Sequence, residues 1–279
     1  MANELAGKVA VVTGGSRGLG RGMVELFVEE GARVVIADLL EYEGRELALA
    51  LGEDAVRFRR TDVSSRDDMQ GLVDFAVSEF GGLDAICNNA GLSDNAYGSL
   101  LEADFDAFDR VMSVNVKGVM LGTQIAARHM AKNGGGSVIN VSSISGIQPG
   151  FGFFNYRASK AAVVNFTQTA AIELGVNLIR VNCICPGNIP TPMGTYAASD
   201  DDEKAKRIQE AVAEVRMGWQ PLKRQGSPRD IAEAALFFAS DRSRQVSGQV
   251  LSVDGAATAG MAKSLIAEIM EARGRAEAG

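Results

Sequence analysis

The stretch VAVVTGGSRGLG, residues 9–20, is the part of the sequence from which the fold class follows. Its first four residues are apolar without alternation, which suits a strand buried on both faces. A glycine-rich turn comes next, and 19–30 has the spacing of an amphipathic helix. Gly14, Gly18 and Gly20 let the backbone approach a bound phosphate closely, while the helix start offers unpaired N–H groups and a positive dipole end. The spacing is G-x-x-x-G-x-G, unlike the G-x-G-x-x-G of the common dinucleotide fingerprint. A tight turn without a ligand would also use such glycines. It is the position directly after the first strand that favours the phosphate.

Outward from this stretch the pattern repeats. Short runs rich in Val and Ile occur at 9–12, 33–37, 55–59, 83–87, 137–141, 178–184 and 249–253. Between them, 66–80, 105–132 and 157–174 have helical spacing. Strand and helix in alternation predict an α/β fold with a parallel sheet covered on both faces, and right-handed crossovers make it doubly wound. Proline breaks the pattern once. Pro186, Pro190, Pro192 and Pro221 fall in one stretch, so 187–221 is expected to be a loop-and-helix insertion. Its place after a strand suits a substrate lid over about 188–221, although the acidic run at 201–204 would also suit a plain surface loop. Residues 1–260 are expected to form one domain and 261–279 a helical extension, with Leu265, Ile266, Ile269 and Met270 on one face that docks on the body or on a neighbouring subunit.

Asp38 ends the second apolar run. A carboxylate roughly 20 residues beyond the glycine turn can hold the adenosine ribose hydroxyls, and it repels the 2′-phosphate of NADP. Arg17 points the other way, since a guanidinium could pair with that phosphate. Asp38 carries more weight, because burying a carboxylate beside a phosphate is costly while Arg17 can be solvated or pair with a surface acid. NAD is the expected cofactor.

Composition narrows the partners. A formal net charge of −7 gives no broad attraction to nucleic acid or anionic lipid, so a small-molecule ligand is expected. No run approaches the length of a membrane span, and the start MANELAGKVAVV lacks secretory-signal features, so a cytoplasmic protein is expected. Cys87, Cys183 and Cys185 are expected to be packing residues, and two thiols with a single histidine, His129, make a poor metal site. No metal is expected. His129 suits a helix C-terminus better than catalysis.

Tyr156 and Lys160 stand four apart on one face of a helical stretch. A free phenol loses its proton only near pH 10, and a neighbouring ammonium lowers that value. Ser143 is placed at the end of the preceding strand, 138–143, where its hydroxyl could hydrogen-bond a carbonyl or alkoxide oxygen. Taken alone, such a pair is common on surface helices.

In context the chain resembles the short-chain dehydrogenase/reductase family over about residues 5–258. The matching residues are Thr13, Gly14, Gly18 and Gly20 of the turn, Asp62, then Asn88, Asn89, Ala90 and Gly91, Asn115, Ser143, Tyr156 with Lys160, and Pro186-Gly187. The resemblance implies a single Rossmann-type domain of seven parallel strands in the order 3-2-1-4-5-6-7. It implies that Gly14, Ser16, Arg17, Gly18, Leu19, Gly20, Asp38 and Leu39 bind the dinucleotide, that Asp62 and Val63 meet adenine, and that Asn89, Ala90 and Gly91 line the cleft. It further implies that Pro186, Gly187, Ile189 and Thr191 lie along the nicotinamide end, with Tyr156 and Lys160 also touching the cofactor. Ser143, Tyr156, Lys160 and Asn115 are the implied catalytic set, with Asn115 distorting its helix and holding a water that links Lys160 to solvent. A homotetramer or homodimer built on the helices at 105–132 and 157–174 is implied too. Arg157, where the family often has a small residue, is expected to project to a surface or subunit contact.

The expected reaction is hydride exchange between NAD and a secondary alcohol/ketone pair. If Phe153, Met193, Met217 and Trp219 face the cleft, the substrate is partly apolar or cyclic. The alternatives are an NADP-dependent 3-oxoacyl-[acyl-carrier-protein] reductase, opposed by Asp38 and the acidic balance, and a non-catalytic dinucleotide-binding regulator, which should have lost Ser143, Tyr156 or Lys160.

Overall fold

A run with no polar face must be covered on both sides, and the computed structural model, which describes residues 3–94, 98–191, 202–260 and 264–278, shows how. Seven strands, β1 (Val9–Thr13), β2 (Arg33–Asp38), β3 (Val56–Arg60), β4 (Ala85–Asn88), β5 (Gly136–Val141), β6 (Ile179–Pro186) and β7 (Val250–Val253), form one parallel sheet. The order is β3-β2-β1-β4-β5-β6-β7, as expected. Ala10 and Val12 of β1, with Val34 and Ile36 of β2, pack on Met23 and Phe27 of α1 (Gly18–Glu29) and Ile231 and Phe238 of α8 (Pro228–Ala239). Val9, Val11 and Val35 turn to the other face, against Met69 and Leu72 of α3 (Arg66–Phe80) and Ile125 of α5 (Gly118–Met130). The chain leaves β1 toward β2 and β3, then returns to place β4 on β1's other side. That reversal opens a crevice at the carboxyl ends of β1 and β4.

Several elements differ from the spacing. The expected helix at 105–132 is α4 (Phe108–Met112), a wide π turn at Ser113–Lys117, and α5. Helix α6 (Phe154–Leu174) starts ahead of 157, and α2 (Glu41–Leu51) was not picked out by spacing. Strand β5 stops at Val141, so Ser143 lies beyond the strand end and caps a single 3-10 turn instead. In the insertion the described part is mostly helix, α7 (Asp202–Trp219); Met193 lies outside the described residues. The last helix, α9 (Ile266–Ala278), does not dock on its own body: Ile266 and Ile269 are 70% and 60% exposed. Among the described residues no helix is long and apolar enough to cross a membrane, and no group of His, Cys, Asp or Glu is arranged to hold a metal. Cys87, Cys183 and Cys185 are free and fully buried.

Helix α8 is started by chemistry that can be tested. Asp230 accepts from Ser227 N at 2.7 Å and from Arg224 Nη2 at 2.6 Å, and the Ser227 side chain completes a capping box. The Arg224 guanidinium, above all, holds the Asp230 carboxyl down at about 2. Asp230→Ala should cost about 1 kcal/mol, read by thermal or urea unfolding near neutrality. A lowered folded pKa stabilises above the unfolded value of about 4 and is lost as pH falls toward 2, so wild type and variant should converge in acid.

Candidate active site

The turn after β1 is held by its neighbour across the crevice. Thr13 Oγ1 accepts from the amides of Asn89 and Ala90 at 3.0 and 3.1 Å, and the Asn89 amide group donates to the carbonyls of Thr13 and Gly14 at 2.9 and 3.1 Å. Gly14 adopts φ +63°, and a Cβ there would lie 2.9 Å from Ala90 Cα. A Cβ on Gly20 would stand 2.7 Å from Asn89 Nδ2 and drive into the Gly14 carbonyl oxygen. The turn is thus packed down on residues 89–90, with no side chain on its crown except those of Ser16 and Arg17. Arg17 precedes the first turn of α1 with no side-chain cap, so the amides there have no partner from a capping side chain. A dinucleotide fits this cradle: bare backbone at a helix start suits a diphosphate, and the Asp38 carboxylate lies beside it, bonded to Ser16 N.

Asp38 is also structural. Its Oδ2 accepts from Ser16 N at 3.0 Å and its Oδ1 from Leu40 N at 3.1 Å, joining the glycine turn to the end of β2. Leu39 is 52% exposed beside it. Arg17 pairs with Glu43, in the first turn of α2. Asp62 follows β3, where its Oδ1 accepts from the amide and hydroxyl of Ser64 at 2.9 and 2.7 Å, and Val63 is buried against Gly118. Pro186 ends β6. Beyond it, Ile189 packs on the core and Thr191 is partly exposed.

The other end of the crevice gathers Ser143, Tyr156, Lys160 and Asn115. The π turn carries Asn115 inward, fully buried; its Nδ2 donates to Leu92 O and Ser159 Oγ, both at 2.9 Å, and its Oδ1 accepts from Leu92 N at 2.7 Å. The side chain thereby braces the loop after β4 against α6. Lys160 is buried, with Nζ donating to Val141 O at 2.9 Å and lying 5.6 Å from the Tyr156 ring centroid. A Cβ on Gly91 would touch that Nζ at 3.4 Å. Burial brings Lys160 down to about 8.

The expected lowering of the Tyr156 phenol does not occur in the protein alone. Burial pushes it up, opposed by a hydrogen bond with the Ser143 side chain, and desolvation outweighs the help the nearby ammonium was expected to give. Cys183 and Cys185 line the same face of β6 against Val119 and Val163. Arg157 folds back onto its own surface loop: its guanidinium donates to the carbonyls of Gly152 and Gln148 at 3.0 and 3.1 Å and shapes the loop before α6. Asp94, missed in the sequence, accepts from Asn155 N at 3.0 Å and fixes the start of α6 beside Tyr156. Glu43 and Ser159 were missed as well. Of these, only Glu43 had a local cue: its position in an acidic first turn just after Asp38. Of the aromatic and methionine candidates, Trp219 is 75% exposed and Phe153 and Met217 are partly buried.

A family model described as enoyl-(acyl carrier protein) reductase matches residues 14–258. The chain is 40% identical to 3beta-hydroxysteroid dehydrogenase 2 of Eggerthella lenta, covering 90% of this chain and 95% of that one. It is 38% identical to (+)-borneol dehydrogenase 2 of Salvia officinalis over 91% and 90%, and 40% identical to short-chain dehydrogenase reductase 4 of Arabidopsis thaliana over 90% and 82%.

Proposed function

The chain belongs to the short-chain dehydrogenase/reductase family, and from that membership we propose that it is an NAD-dependent dehydrogenase of a partly apolar or cyclic secondary alcohol. The observation that carries this is the convergence of Ser143, Tyr156 and Lys160 at the strand ends, in the crevice that the glycine turn and Asp38 open onto. The nicotinamide, when bound, supplies the hydride acceptor. Everything else is done by the protein. Ser143 holds the substrate oxygen by its hydroxyl. The Tyr156 phenolate oxygen takes the alcohol proton, and Lys160 Nζ, anchored on Val141 O, offsets the charge on that oxygen. Asn115, through Leu92 and Ser159, keeps the loop after β4 and helix α6 at fixed separation. Positioning both reactants in one cleft contributes much of the rate.

NAD is supported by Asp38 at the ribose position and by the pairing of Arg17 with Glu43. A cyclic alcohol is supported by relatives named for hydroxysteroids and borneol. Residues 188–221, with α7, are the proposed lid, and a homotetramer or homodimer through α5 and α6 is proposed from the exposed Met120 and Ile172. Three free buried thiols suit a reducing, cytoplasmic location. The test is absorbance at the reduced-nicotinamide band with NAD and NADP in parallel across cyclic and steroid-like secondary alcohols. Turnover with NAD is expected. Turnover with NADP alone would overturn the cofactor assignment.

A further inference from the structure

We infer that Glu43 is a cofactor-specificity residue: by pairing with Arg17 it withholds the one cation of the glycine turn from a 2′-phosphate. The proposal rests on the NAD assignment and adds a second determinant to Asp38. Arg17 directly follows Ser16, whose amide is bonded to the Asp38 carboxylate, so its guanidinium starts from the lip where the adenosine ribose would lie. Left alone, it would answer the repulsion between Asp38 and a 2′-phosphate with a charge-assisted contact. In the protein Arg17 Nη2 bonds Glu43 Oε1, across 26 positions of sequence.

The placement of Glu43 follows from packing. The first turn of α2 comes close to the glycine turn because Gly44 has no side chain: a Cβ there would run into the Phe58 ring and lie 2.8 Å from Ser16 Oγ. Ser16 Oγ in turn bonds Leu40 O at 3.5 Å. Glu43, one residue before Gly44, is thus delivered to Arg17 by the approach of two backbones. Its carboxyl is held below the usual range, first by a hydrogen bond from its own backbone amide and then by Arg17. The neighbouring Arg45 is occupied too, with Nε and Nη2 on Glu41 at 2.9 and 2.8 Å. Arg60, beside Asp38 in the strand register, is the other cation at this edge.

The experiment is calorimetric titration of NAD and NADP, without substrate, into wild type, Glu43→Gln, Arg17→Gln and the double variant. Wild type should bind NAD more tightly. Glu43→Gln should tighten NADP by about tenfold while moving NAD by less than about twofold, and the gain should vanish in the double variant. Equal changes for both dinucleotides in Glu43→Gln, or an NADP gain that survives loss of Arg17 and so points to Arg60, would overturn the inference with the NAD assignment intact. Wild type binding NADP more tightly would instead overturn the NAD assignment. Melting temperatures of all four proteins without ligand identify any variant that has lost its fold, and Glu43→Asp, which keeps the charge, should behave like wild type.

Discussion

Tyr156→Phe is expected to lower turnover by about a thousandfold while leaving NAD binding within about twofold. Only the phenol oxygen is removed. The ring remains for Lys160 to lie over, and the Lys160 bond to Val141 O, the Asn115 brace and the glycine turn are untouched. Single-turnover absorbance would report the chemistry and calorimetry the binding. Retained turnover would remove Tyr156 from the mechanism and leave Ser143 or Lys160 as the proton acceptor. The pH profile carries a second check. Burial holds the Tyr156 phenol above its ordinary range, so the phenolate fraction near neutrality is small and rises tenfold for each pH unit. Lys160 loses its proton through about 8, which withdraws support from the phenolate. Oxidation by the wild type should therefore climb with pH and bend near 8, the two groups titrating as a pair, and residual activity of Tyr156→Phe should lack that climb.

Asp38→Asn is expected to shift the preference for NAD over NADP by about a hundredfold, from weaker NAD binding and stronger NADP binding together. A carboxylate at the lip repels a 2′-phosphate and accepts from ribose hydroxyls; a carboxamide does neither as well. Asn keeps an acceptor for one of the two amides that Asp38 holds, Ser16 N and Leu40 N, so the turn should survive. Asp38→Ala loses both bonds and should in addition melt earlier. Unchanged cofactor preference in Asp38→Asn, measured by titration with each dinucleotide, would show that Asp38 is only the anchor of the turn.

Much of this protein is legible along the chain. The unalternating runs could be covered only from both faces, and the sheet is covered that way by α1 and α8 on one side and α3 and α5 on the other. The order of strands is as the family resemblance implied. Boundaries were less legible. Asn115 sits in a π turn that apolar spacing does not encode, so α4 and α5 looked like one helix. Ser143 looked like a strand residue because Val138, Ile139 and Val141 before it are apolar, while the ladder with β6 stops at Val141.

The sequence by itself determined the alternation of strand and helix, the glycine turn and the presence of Ser143, Tyr156 and Lys160, because hydrophobic period and residue chemistry are local properties. Only the tertiary structure decided that Arg17 is held by Glu43, that Arg157 folds back onto its own loop, and that the Tyr156 phenol is raised where its lysine neighbour suggested the opposite. Charge partners and the exclusion of water come from segments brought together across the chain. A guanidinium or a phenol therefore takes its state from neighbours that no local pattern names.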